Sequence, residues 1–347
     1  MTQPAIQPKK NNHILKWLLP LAITAIAFYF IARQVKLEDL KSAFGMLKGH
    51  TWQTLGVLFG VYVISMSLRA LAIKLILGKN FDFKTAFFSM NAGYLLNNFL
   101  PFRLGEVGRS LLLTGEGKNK APFYKIFASV FTERILDIFI SASLFLLTIS
   151  VAVTSQTLRT LVWIAWSLMI AMMVVMAVLS KHKNRFFNWY QKLLGTKPFW
   201  MKKVLPKLAN FLEGFEVLAD IKNMVAILGV LAVSWTLAMV EIYYLQHLLV
   251  PNAQWWWPAF VCSATAFAAA LPSAPGSLGV YEAAMVSAYL VLGVDQAPAL
   301  TIAIILHVYQ FVISSLIGLV GLERLGENIG SLAAKSSRRQ KSKEEQS

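Results

Sequence analysis

Asn91–Arg109 reads NAGYLLNNFLPFRLGEVGR. It opens as an apolar segment carrying Asn91, Asn97 and Asn98, stops at Leu100-Pro101, and then sets Arg103, Glu106 and Arg109 around Gly105 and Gly108. Proline has no amide hydrogen to donate and disfavours helix at the residue before it. A plain lipid-facing span cannot carry such a run, because irregular polar backbone at membrane depth survives only inside protein or along a wet cavity. The stretch therefore predicts a re-entrant hairpin: a helix enters the membrane, breaks at Pro101 and turns back.

The surrounding composition is that of a polytopic membrane protein. Hydrophobic residues make up 56% of the 347 positions and charged residues 14%, mean hydropathy is +0.57, and several apolar runs approach the length that crosses a hydrocarbon core. The net charge of +16 comes from Lys and Arg gathered in loops beside apolar spans, so the expected anionic partner is the lipid headgroup surface and not nucleic acid. Cys262 is the single cysteine, which excludes an internal disulfide and any cysteine-rich metal site. Its surroundings are apolar, as for a small core residue.

Six full crossings are expected, at Ile14–Ala32, Leu55–Leu77, within Phe123–Val153, at Leu158–Leu179, Val225–Leu249 and Ala299–Leu322. No small-residue cleavage pattern follows the first, so it reads as a retained helix. Val35–Gly49 reads as an amphipathic link, and Arg69 and Lys74 as side chains that snorkel to the surface. Phe123–Val153 is too long for one clean crossing; its start, with Glu133, Arg134 and Asp137, is expected to be interfacial or half-buried. Lys181–Lys222 is dense in Lys and Arg but carries Val204, Leu208, Leu212 and Phe215 at helical spacing, predicting a helix that lies on the membrane or caps the bundle. The Trp255–Trp257 cluster suits a headgroup boundary. Residues 1–13 form a polar tail, 14–322 one transmembrane domain with the basic loop 181–222 inside it, and 323–347 a basic tail expected to be disordered. With the basic loops and both termini placed in the cytoplasm, the count becomes all-α: about six crossings plus two re-entrant hairpins, one entering from each face.

The second hairpin is LPSAPGSLG, Leu271–Gly279. Both breaks share Leu-Pro-x-x-x-Gly, with Pro101 and Gly105 in the first and Pro272, Pro275 and Gly276 in the second, and an acid follows each: Glu106 and Glu282. Broken helices of opposite sense are the mark of transporters built as inverted repeats, whose sites lie where the breaks meet. Arg103 and Arg109 offer planar guanidinium groups that suit a phosphate diester or carboxylate, and Asn97 and Asn98 offer uncharged amides. Glu106 either pairs with one of those arginines or meets a cationic substrate group. Gly276 and Gly279 precede a new helix start, which is a modest anion site or simply a tight turn. Glu133 and Asp137 share a helix face with Arg134 about 100° round; a substrate site and a buried ion pair with Arg103 or Arg109 look identical at this level. Glu241, His247, His307 and Gln310 are scattered polar residues of later spans, Glu241 the most notable because it is charged and mid-span.

The ordered set Asn97-Asn98, Pro101-x-Arg103-x-Gly105-Glu106-x-x-Arg109, Glu133-Arg134-x-x-Asp137, Pro272-x-x-Pro275-Gly276-x-x-Gly279-x-x-Glu282 resembles the lysylphosphatidylglycerol synthase transmembrane region, also called the flippase-like membrane family. The resemblance covers Ile14 to about Leu322. It implies a multi-pass protein of the bacterial or archaeal inner membrane, similar to a translocase that moves aminoacylated phosphatidylglycerol between leaflets. It also implies a partnership, in some members, with a separate lipid-modifying transferase. The soluble aminoacyl-transferase domain of the best-understood members has no counterpart here, so lipid synthesis is not expected.

The functional expectation is accordingly a lipid translocase, with Asn97, Asn98, Arg103, Glu106, Arg109, Glu133, Arg134, Asp137, Gly276 and Glu282 around a headgroup, and Pro101, Gly105, Pro272, Pro275 and Gly279 as hinges. No phosphate-binding loop of the Walker type is present, so movement is expected to be downhill or ion-coupled. No metal or other cofactor and no catalytic residue is expected. Two alternatives stand beside it: a membrane-embedded transferase using a lipid-linked substrate, and a non-catalytic partner of a lipid-modifying enzyme.

Overall fold

A computed structural model describes residues 51–100, 104–114, 121–152, 155–182, 205–269 and 274–326, with Glu38, Lys41, Gly45, Gly49 and Arg185 as isolated positions. The expected first span, most of the amphipathic link, Pro101, Arg103, Pro272, the N-terminal tail and residues 327–347 of the basic tail lie outside the described residues. All regular structure among the described residues is helical: α1 (Thr51–Leu77), α2 (Phe83–Phe99), α3 (Gly105–Leu112), α4 (Phe123–Ala152), α5 (Gln156–Lys181), α6 (Leu205–Glu213), α7 (Glu216–Ala219), α8 (Ile221–Leu249), α9 (Trp257–Ala269), α10 (Val280–Val291) and α11 (Gln296–Arg324), with a 3₁₀ turn at Pro275–Ser277. α1, α5, α8 and α11 are long and apolar enough to cross a membrane. The chain is an all-α polytopic membrane protein. α5 presents Leu161, Trp163, Ile164, Leu168, Val174, Val175 and Val178 outward, as a helix does when its solvent is lipid.

Both expected breaks are helix ends. α2 starts on Asp82, whose carboxylate accepts the Thr85 amide at 2.7 Å, and stops at Leu100, which is extended at φ −109, ψ 142, as a residue before proline must be. α3 then runs back along α2. A Cβ on Gly105 would collide with the carbonyl oxygen of Gly93, so only glycine lets the two backbones touch. At eight residues, α3 is about 12 Å long and cannot cross a bilayer. In the second break the backbone turns left-handed at Gly276 (φ 67), Ser277 (φ 57) and Gly279 (φ 78) before α10 begins.

α4 is one continuous helix of 30 residues. Its start, expected to be interfacial or half-buried, is more deeply packed than half-buried: Glu133 and Asp137 are buried among helices. α6 and α7 cap the bundle. Leu205, Leu212 and Phe215 are buried, α6 packs on α4, and Thr132 Oγ1 donates to the Gly214 carbonyl at 3.1 Å.

The helices pair as a duplicated set. Exchanging α1, α2, α3, α4 with α8, α9, α10, α11 maps observed contacts onto observed contacts: α2–α11 onto α9–α4, α2–α3 onto α9–α10, α3–α4 onto α10–α11, α1–α2 onto α8–α9, and α1–α4 onto α8–α11. α1 and α8 pair with each other and run antiparallel, since Leu58 and Tyr62 share a core with Leu245 and Leu249, while Ile73 and Leu77 share another with Ile227 and Leu231. At their crossing Ser65 Oγ lies 3.2 Å from the Ser234 carbonyl and Ser234 Oγ 3.3 Å from that of Ser65, with the hydroxyls 2.9 Å apart. Reciprocal contacts of this kind mark a two-fold axis. α5, α6 and α7 are the insertion between the halves.

Candidate functional site

α11 is the post on which both breaks are hung. Gly318 and Gly321 bring its backbone against α2, where a Cβ would stand 2.6 Å from the Asn91 carbonyl oxygen and 2.7 Å from that of Phe88 respectively; small residues allow this close approach in membranes. Near the end of α2, Asn98 Nδ2 donates to Ser314 and Ser315 Oγ, both at 2.9 Å, and to the Phe311 carbonyl at 3.2 Å. From the second half, Gly276 meets the ring of Phe311, and its carbonyl oxygen lies 2.7 Å from His307 Nε2. The two breaks thus approach one another across one turn of α11.

Between them, beside the Ser65–Ser234 crossing, is a cavity of about 430 Å³ lined from α1, α2, α4, α8, α9, α10 and α11. Its walls differ in charge. On one side Arg69 Nη1 holds both oxygens of Asp137, at 2.8 and 3.0 Å. Trp235 Nε1 adds a bond to Asp137 at 3.0 Å, and Arg134 reaches the same carboxylate at 3.4 Å. Arg134 also lies 3.4 Å from Glu106 and 5.9 Å from the centre of the Tyr94 ring, within cation–π range. On the other side Gln310 Nε2 donates to Glu241 Oε2 at 3.1 Å, while Glu241 Oε1 has no hydrogen-bond partner although the residue is only 2% exposed. Tyr62, Tyr281 and His307 complete that wall. Ile138 on α4 and Phe267 on α9 line the cavity and are themselves exposed, which places an edge of it at the α4–α9 seam.

Of the residues expected at a headgroup, Asn98, Arg134, Asp137 and Gly276 line this cavity. Asn97 works inside the first hairpin: its Oδ1 accepts the Gly105 amide at 2.7 Å and its Nδ2 reaches Glu106 at 3.4 Å. Arg109 and Glu133 pair with each other at 2.8 Å, 2% and 0% exposed, and do not line the cavity. Neutralisation of Glu106 by Arg109 is therefore corrected: Arg109 belongs to Glu133, and Glu106 to Arg134. Glu282 also stands back from the cavity; its Oε2 accepts the Gly279 amide at 2.7 Å and its Oε1 meets His307.

Arg69 overturns an expectation. It does not snorkel; its side chain is 13% exposed and points inward onto Asp137. Its distance from the end of a long span, eight residues before Leu77, was the available signal, since a side chain two turns in reaches a surface less readily than a neighbour. Trp235 carried no signal, being one tryptophan in an apolar run. Among the described residues no three His, Cys, Asp or Glu side chains gather as a metal site.

Residues 17–318 match the family model described as the lysylphosphatidylglycerol synthase TM region. No curated protein and no solved structure matches the chain.

Proposed function

We propose, for a chain that belongs to the lysylphosphatidylglycerol synthase transmembrane region family, that it is a lipid translocase. The observation that carries this reading is a cavity among lipid-facing helices that opens at the α4–α9 seam, with guanidinium groups on one wall and the partnerless oxygen of Glu241 on the other. Its volume of about 430 Å³ is on the scale of a headgroup and far below that of a whole lipid. Arg69 and Arg134 would take the phosphodiester, exchanging part of their hold on Asp137 for it. Glu241 and Gln310, with the rings of Tyr62 and Tyr281, would take a hydroxyl or ammonium at the headgroup's other end. The acyl chains would stay in the bilayer, leaving past Ile138 and Phe267 at the α4–α9 seam. Duplicated halves whose breaks meet at the site support passage by alternating access. The resemblance and the distribution of basic loops favour the inner membrane of a prokaryote with both termini in the cytoplasm.

The test is transbilayer movement of headgroup-labelled phospholipids in liposomes holding the purified protein. Wild type and the lipid-facing control Val151→Ala are expected to move a subset of headgroups. Arg69→Ala and Arg134→Ala, folded by thermal unfolding in detergent, are expected to lose at least about tenfold in rate. Well-folded wild type that moves no tested lipid overturns the reading, in favour of a transferase or a partner of one.

A further inference from the structure

His307 stands between two acceptors. Its Nε2 lies 2.7 Å from the Gly276 carbonyl, which can only accept, so that nitrogen carries a hydrogen. Its Nδ1 lies 2.6 Å from Glu282 Oε1. A bare imidazole nitrogen and a carboxylate are both acceptors and repel at that separation, so a second hydrogen lies between them, on the ring or on the acid. The other carboxylate oxygen of Glu282 is committed to the Gly279 amide at 2.7 Å. One exchangeable proton therefore closes a chain that runs from the start of α10 through α11 to the carbonyl of the second break. His307 lines the cavity, which gives that proton a route to water.

We infer that Glu282 and His307 form a proton-binding latch and that the proton is the ion coupled to lipid movement, an inference that rests on the translocase reading. With the proton bound, the second break is tethered to α11. When the proton leaves for water, two acceptors face each other, His307 turns away, and the Gly276 carbonyl loses its donor. The groups around the latch set its sensitivity. Tyr281 lies against the imidazole with ring centres 4.5 Å apart. Glu241 from α8, Cys262 from α9 and Tyr62 from α1 line the same cavity, as do Arg69 and Arg134 across it. A phosphate drawn in beside the arginines offsets their charge, so headgroup and proton reinforce one another's binding, as linkage requires.

The experiment uses the full chain in liposomes with Cys262→Ser and a single reporter, Ser277→Cys, in the break. Maleimide labelling is followed from about pH 5.5 to 8.5 and divided by that of Trp255→Cys, which removes the thiol's own titration. The normalised rate is expected to rise at least about tenfold as the proton leaves. Glu282→Gln, whose amide donates to Nδ1 without titrating, is expected to be slow and flat, and His307→Leu fast and flat. In the same liposomes, an imposed pH gradient is expected to drive labelled phospholipid to one leaflet with wild type, and to have no effect with Glu282→Gln, whose break stays tethered. A flat wild-type profile, or an unchanged step in Glu282→Gln, overturns the latch. Lipid movement indifferent to the gradient overturns the coupling. A labelling step without any lipid movement supports the proton site and overturns the translocase on which the coupling rests.

Discussion

Removing one partner of Arg109–Glu133 leaves a full charge with neither water nor a counter-ion, because both are buried and 2.8 Å apart. Arg109→Ala or Glu133→Ala is expected to cost about 3–5 kcal/mol, while the paired apolar replacement Arg109→Met with Glu133→Leu recovers most of it. Thermal unfolding in detergent reads both. The same truncation at Arg69 is expected to cost lipid movement more than stability, since that guanidinium borders the cavity. The sequence did not separate these two kinds of arginine. Residue type and spacing mark a charge as costly in a membrane; only the neighbouring helices decide whether its ion pair is sealed in, as for Arg109, or borders a cavity, as for Arg134 and Asp137. Arg103 lies outside the described residues and keeps its sequence-based expectation.

Among the elements, α2 depends on its first turn. The Thr85 amide hydrogen-bonds the Asp82 side chain and holds its carboxyl below the ordinary carboxylate value, with Thr85 Oγ1 adding to the effect. A carboxyl lowered on folding contributes stability that is complete above its unfolded value and is lost as pH falls through the folded one. Asp82→Ala is expected to cost about 1 kcal/mol at neutral pH and to remove part of the protein's acid sensitivity, seen as a flatter dependence of unfolding temperature on pH. The elements were more legible than the site. The Pro101 break, the second break and the long apolar spans follow from missing amide donors and from length. The inward course of α4 did not, because a helix reading locates Glu133 and Asp137 on a face without saying which neighbour covers it. The spacing of apolar residues in the basic loop leaves a surface helix and a cap equally open, and the burial of Leu212 and Phe215 decides for the cap.

At the scale of the whole molecule, the repeat first showed as Leu-Pro-x-x-x-Gly at two places and then as a two-fold pattern of helix contacts. Three shared residues are a thin trace because a fold's symmetry resides in its backbone, which tolerates wide change in side chains. An axis through Ser65 and Ser234 moves least when one half tilts against the other. Ser65→Cys with Ser234→Cys, in a Cys262→Ser background, is therefore expected to form a disulfide that leaves transbilayer lipid movement within about twofold of the reduced protein. Loss of movement on oxidation, regained on reduction, would show that the halves part at this crossing.

The reciprocal serine contact also bears on direction. Two halves of like backbone, laid head to tail, have no intrinsic up or down; a scaffold so built costs the same to open either way. Whatever makes one leaflet the destination must then be written in side chains, and these are unevenly shared. Arg69, Arg134 and Asp137 belong to the first half, and Glu241, Glu282, His307 and Gln310 to the second. Trade those two sets, leaving every helix where it is, and the same scaffold would face the other way.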